Sequence, residues 1–181
     1  MNRLQRASAL TVLIDAQEKL MAVMRNRQAL EDRILCLLRG CRALDIPILS
    51  TEQTPEKLGP TLSTLAEQIP GGPAVPKRTF SCVRSEEFVR RLEESGRTQI
   101  VLAGIESHVC VYQTAIDLME EDYEVFVVTD CVRSRHEEDQ TVALQEMGRA
   151  GILLATLEMV LFQGLGSADD PAFREILRMV K

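Results

Sequence analysis

Three side chains in this sequence are of the types that together perform acyl transfer: Asp15, Lys77 and Cys110. The nucleophile in cysteine chemistry is the thiolate, and a free cysteine near pKa 8.5 carries little of it at neutral pH. Cys110 sits in the stretch GIESHVCVYQTA, residues 104–115, where an apolar strand leaves through Gly104 and a helix begins. Unpaired N–H groups and aligned peptide dipoles at a helix start favour an anion, so this placement is expected to lower the thiol pKa. An ammonium such as Lys77 would lower it further. A carboxylate such as Asp15 would accept the thiol proton and return it to a leaving group. Each residue alone has an ordinary explanation, as a core thiol, a strand-end turn residue and a solvated loop lysine. Chemistry requires the fold to bring the three together.

The elements able to do so follow from hydrophobic patterning. ALTVLID, residues 9–15, is a short β-branched apolar run ending at a carboxylate, as a buried parallel strand does. DIPILST, QIVLAG, EVFVVTD and GILLAT read as further strands. Amphipathic stripes predict helices over about Gln28–Leu44, Glu86–Ser95 with Ser85 as N-cap, His108–Glu121 and Glu138–Ala150. A last helix is expected over PAFREILRMV, with Pro171 in its first turn. Between Thr51 and Ser85 lie five prolines and three glycines, so this segment, which carries Lys77, reads as an ordered loop or a mobile lid. Alternating strand and helix implies an α/β fold, three layers α/β/α around a mainly parallel sheet, formed as one domain over residues 1–181. In such sheets ligands bind beyond the carboxyl ends of the strands, where Asp15 and Cys110 fall.

Composition narrows the partners. Hydrophobic residues make up 45% and charged residues 27% of the 181 positions, the balance of a globular protein. A net charge of -6, no Trp and only two Tyr and five Phe argue against nucleic acid as a partner. No apolar run is long enough to span a bilayer, so no membrane partner is expected. Five scattered cysteines without a CxxC pair are expected as reduced thiols in the cytoplasm. No GxxxxGK[ST] motif supports a nucleotide site.

The segments VLIDAQEKL, PKRTFS, GIESHVCVYQTA, VVTDCVRSR and ATLEMVLFQ resemble the isochorismatase-like cysteine hydrolases, a family that includes nicotinamidases and related amidases. LSTEQTPEKLGPT resembles its subgroup of isochorismatase-domain proteins, whose members mostly lack an assigned substrate. The resemblance implies a six-stranded Rossmann-like sheet and a catalytic triad of Asp15, Lys77 and Cys110. It also implies a thioester intermediate, and a cis peptide between Ile105 and Glu106 that helps form an oxyanion hole. The presence of Cys110 favours a small amide, imide or related carbonyl substrate over isochorismate itself. Nicotinamidase-type members carry an aspartate and histidines after the second strand to hold a metal ion; here Ser50-Thr51-Glu52-Gln53-Thr54 has no histidine, so no metal and no cofactor are expected. Gln17, Glu52, Gln53 and Phe80 are expected to line the substrate pocket. Family members form dimers, tetramers or larger rings, which implies a homo-oligomer here, with VLFQGLG as a possible contact. Two rival readings are a non-catalytic scaffold on the same fold, and a thiol redox protein in which Cys82 resolves a Cys110 sulfenate.

Overall fold

The computed structural model describes residues 3–181. In chain order the elements are β1 (Ala9–Ile14), α1 (Glu18–Met21), α2 (Arg27–Ala43), β2 (Ile48–Gln53), α3 (Pro55–Leu58), α4 (Ser63–Ala66), β3 (Val75–Lys77), α5 (Glu86–Ser95), β4 (Gln99–Ile105), α6 (Tyr112–Glu120), β5 (Glu124–Arg133), α7 (Glu137–Ala150), β6 (Leu153–Ala155), α8 (Leu157–Leu165) and α9 (Phe173–Val180). The six strands pair in the order β3-β2-β1-β4-β5-β6, every neighbour parallel.

Strands β1 and β4 are buried along their whole length, which is why they are apolar on both faces. Alternate residues divide between two cores. Ala9, Leu13, Val101, Ala103 and Ile105 face the layer that includes Leu30, Ile34 and Leu38 of α2 and Leu161 of α8. Leu10, Val12, Ile14, Ile100 and Leu102 face Phe88 of α5, Ala115 and Leu118 of α6 and Met147 of α7. Burying the sheet on both sides leaves its carboxyl edge as the place where loops from both layers meet. The strand order reverses between β1 and β4, and a crevice opens at such a reversal. Asp15 follows β1 and Glu106 follows β4, so both stand at that point.

Several expectations need correction. The proline-rich segment is not a featureless loop: it folds as α3, α4 and β3, and Lys77 ends an edge strand. Pro76 is tolerated there because an edge strand leaves one side of its backbone unpaired. The last helix starts at Phe173 rather than at Pro171, after a turn in which Asp170 Oδ1 accepts a hydrogen bond from the Ala172 N–H at 2.8 Å. Ser85 stands at the N-cap of α5 but makes no side-chain capping bond. Within VLFQGLG, Val160, Leu161, Gly164 and Leu165 of α8 are buried in the chain's own core, which leaves chiefly Phe162 toward solvent. Among the described residues, no helix is long and apolar enough to cross a membrane.

Gly104 makes the β1–β4 approach possible. Its φ is +113°, and a Cβ there would lie 2.0 Å from the carbonyl oxygen of Ile14, directly before Asp15. Gly151 also has positive φ, +98°, yet nothing lies within 4 Å of its notional Cβ. Gly104→Ala is therefore expected to cost more than about 3 kcal/mol. Gly151→Ala should cost only about 1 kcal/mol, from backbone strain. Urea midpoints of the two variants check this, and equal losses would contradict it.

Candidate active site

Asp15 leaves β1 with φ +49°, in the left-handed region that aspartate tolerates better than most residues. The turn aims its carboxylate along the carboxyl edge rather than into either core. Thr51, paired with Ile14 across β1–β2, donates its hydroxyl to Asp15 Oδ1 at 2.7 Å. Lys77 arrives from β3 and donates to Oδ2 at 2.6 Å, and both side chains of this ion pair are fully buried. The ammonium also meets Gln53 Oε1 at 2.8 Å, the Phe80 carbonyl at 3.1 Å and the Thr79 carbonyl at 3.2 Å. An ammonium has three donors and here faces four acceptors, so Lys77 has nothing left to offer a ligand. Its work is to hold Asp15 and to set the local potential. Burial would lower its pKa, but the charge of Asp15 and the hydrogen bond to it work the other way, and Lys77 stands above the ordinary lysine value.

Cys110 reaches the same point from β4. After the cis peptide Ile105–Glu106 the chain enters a single π-helical turn, Ser107–Val111, that runs into α6. The Cys110 thiol lies close enough to Asp15 and Lys77 to feel both charges, and the residue is 6% exposed. The structure reverses one expectation here. Burial, then the negative charge of Asp15, push the thiol pKa well up; Lys77 pulls the other way and loses. Cys110 is therefore held as a neutral thiol rather than as a preformed thiolate.

The remaining predicted residues divide between bracing and exposure. Gln17 is buried and braces the edge: Nε2 donates to the carbonyls of Gln53 at 3.1 Å and Gly59 at 2.6 Å, and Oε1 accepts from the Gln53 N–H at 2.7 Å. Glu52 Oε1 accepts from the N–H and hydroxyl of Thr61, tying down the segment between α3 and α4. Gln53 Nε2 donates to the Arg78 carbonyl at 2.9 Å. Phe80 contributes its carbonyl to Lys77, while its ring is 54% exposed. Glu106, expected to act through its backbone, also accepts from the N–H and Nε of Arg135. His108 Nδ1 lies 2.9 Å from Ser134 Oγ, a local bond. Thr51 was not anticipated; its place at the end of β2, level with Asp15, was the available signal. Cys82 is fully buried nearby, with burial pushing its pKa to about 11.

A buried carboxylate bonded to an ammonium, with a buried thiol beside them, is the arrangement to compare with known proteins. The isochorismatase domain matches residues 9–159. The chain belongs to the isochorismatase family. Isochorismatase domain-containing protein 1 of Salmo salar is 40% identical over 146 residues, covering 80% of this chain and 51% of that protein. The chain thus spans about half the length of that relative. Isochorismatase domain-containing protein 2A of Mus musculus is 36% identical over 184 residues, covering 100% of this chain and 86% of that protein. Among solved structures, the MAR1 ribonuclease of Caenorhabditis elegans superposes with a TM-score of 0.92 at 32% identity, covering 99% of this chain and 92% of that one. YcaC of Pseudomonas aeruginosa, solved with covalent acrylamide, gives 0.93 at 25% identity, covering 98% and 91%. Proteins of the isochorismatase family are commonly hydrolases.

Among the described residues, no group of three or more His, Cys, Asp or Glu is placed to hold a metal ion. Asp15 and Lys77 are the buried charges of the site. Removing one partner strands the other charge in the interior, so Lys77→Met should cost about 3–5 kcal/mol. Adding Asp15→Leu to that variant should restore much of the loss. Denaturant titrations of the singles and the double check the coupling, and additive losses would contradict it.

Proposed function

We propose that the chain hydrolyses a small amide or related carbonyl compound through a thioester on Cys110. The observation that carries this reading is the buried Cys110 thiol under the influence of a carboxylate that is itself bonded to Lys77 and Thr51. As the Cys110 sulfur attacks the carbonyl carbon, Asp15 takes the thiol proton, so no thiolate need stand in the buried site beforehand. Lys77 offsets the charge that develops on the sulfur. The oxyanion would be met by backbone N–H groups around Glu106 and Cys110. Asp15 then returns the proton to the departing nitrogen, the C–N bond breaks, and a thioester remains. A water that gives its proton to Asp15 attacks the thioester, and the acid leaves with Cys110 again a thiol.

YcaC, a protein of the same fold, was solved with covalent acrylamide, which supports a reactive nucleophile on this fold. The likeness to a MAR1 ribonuclease raises RNA as a substrate. A net charge of -6 and a Lys77 with no free donor weigh against it. The same reading takes the protein as cytoplasmic and as a homo-oligomer. Met159 and Phe162 of α8, 49% and 38% exposed, offer apolar surface to a second copy.

A screen of primary amides, imides and carbamates, with an RNA oligonucleotide as a separate arm, tests the proposal. Turnover of at least one small carbonyl compound is expected, with kcat/KM falling by about 10³-fold or more in Cys110→Ser. An acyl adduct on Cys110 should appear in quenched samples by mass spectrometry. RNA cleavage that survives Cys110→Ser, or amide turnover indifferent to that change, would overturn it.

A further inference from the structure

The turn that carries Cys110 is tied to the segment after β5 by side chains with no part in the chemistry described above. Glu106 opens this turn, and its carbonyl accepts the N–H groups of Val109 at 3.1 Å and Val111 at 3.2 Å. Its carboxylate makes no capping bond to the same turn. It is engaged instead by the segment between β5 and α7, where Glu106 Oε2 accepts from the Arg135 backbone N–H at 3.0 Å and from Arg135 Nε at 3.1 Å. The Glu106 side chain is only 10% exposed, whereas that of Arg135 is 53% exposed. A second tie runs beside it, from His108 Nδ1 to Ser134 Oγ at 2.9 Å.

An ion pair with one partner half in water contributes little to stability, so the consequence of this one is local: it fixes where a negative charge stands. The first N–H groups of a helical turn lack partners within it, and a carboxylate beside them is a ready acceptor. In this turn those N–H groups are the ones assigned above to the substrate oxygen. A Glu106 carboxylate without its cation would compete with an oxyanion for them and repel it. The charges that act most on the Cys110 sulfur are those of Asp15, Lys77 and Cys82. The effect of the Glu106–Arg135 pair therefore falls on the carbonyl oxygen rather than on the thiol.

We propose that Arg135 is a positioning residue for carbonyl attack: by binding and offsetting the Glu106 carboxylate, it keeps the N–H groups at the start of the Cys110 turn for the substrate oxygen. The proposal rests on the thioester reading above. Arg135 acts through Glu106 and not on the substrate, and both its charge and its hold on Oε2 are needed.

Acetylation of Cys110 by p-nitrophenyl acetate tests this, with iodoacetamide alkylation at the same pH alongside, both followed by peptide mass spectrometry. In acetylation the sulfur bonds to the carbonyl carbon, charge passes through the carbonyl oxygen, and p-nitrophenol leaves with the thiol proton. Alkylation uses the same sulfur and forms no oxyanion. Arg135→Met should slow acetylation about tenfold or more and leave alkylation at the wild-type rate. Arg135→Lys, which keeps the charge, should retain most of the acetylation rate. Adding Glu106→Gln to Arg135→Met should restore most of what was lost. Unchanged acetylation in Arg135→Met, or a loss that Glu106→Gln does not relieve, would overturn the proposal. So would a parallel change in alkylation, which would mark a purely structural role. A wild type whose Cys110 takes iodoacetamide but no acetyl group would overturn the thioester reading and this proposal with it.

Discussion

The ion pair between Asp15 and Lys77 is fully buried, and much of the molecule's carboxyl edge is arranged around that fact. Taking two charges out of water is costly, and their mutual attraction repays it only when the remaining donors and acceptors are also satisfied. The satisfaction is supplied from several elements at once. β2 contributes Thr51 and Gln53, and the segment after β3 contributes the carbonyls of Thr79 and Phe80. Gln17 and Glu52 then tie the intervening short helices to the same edge. The loop with five prolines is held in place because the pair would be stranded without it.

The pair also sets the state of Cys110. A positive neighbour and a helical turn favour a thiolate, whereas burial and an adjacent carboxylate oppose it, and the second set prevails. Under the proposed mechanism, nucleophilic attack and proton transfer to Asp15 would be one coupled event, and the thiol would stay protected until a carbonyl compound is in place. The redox reading gains little from this geometry, since Cys82 is buried and its thiol is itself held protonated.

The parts of the fold that could be read from the sequence are those with one dominant signal. β1, β4 and the stripe of α2 bury apolar residues at a single period, and the boundaries fall within a residue or so of expectation. β3 gave no such signal, because three residues containing Pro76 cannot show a period. α8 escaped notice because an almost wholly apolar segment following GILLAT has no polar face to mark it as a helix. In the site, Asp15 and Cys110 stood out as residues at strand ends and Lys77 as an ammonium in the proline-rich segment, the family resemblance joined the three as a triad, and Thr51 came from neither. The direction of the Cys110 shift was misread because a sequence displays a helix start but not the depth of burial or the carboxylate facing the sulfur. Gln17, Glu52 and Gln53 show the same limit: polar residues beside a site read alike whether they face a substrate or brace a loop.

The most direct test is the rate of Cys110 alkylation by iodoacetamide across about pH 6 to about pH 10, followed by peptide mass spectrometry in the wild type and in Asp15→Asn. Removing the carboxylate charge takes away an influence that raises the thiol pKa and leaves Lys77, which lowers it. The account predicts slow wild-type alkylation at neutral pH, with an inflection above that of an ordinary cysteine, and an inflection moved to lower pH in Asp15→Asn. Fast wild-type alkylation at neutral pH that is unchanged or slowed by Asp15→Asn would show a preformed thiolate and contradict it.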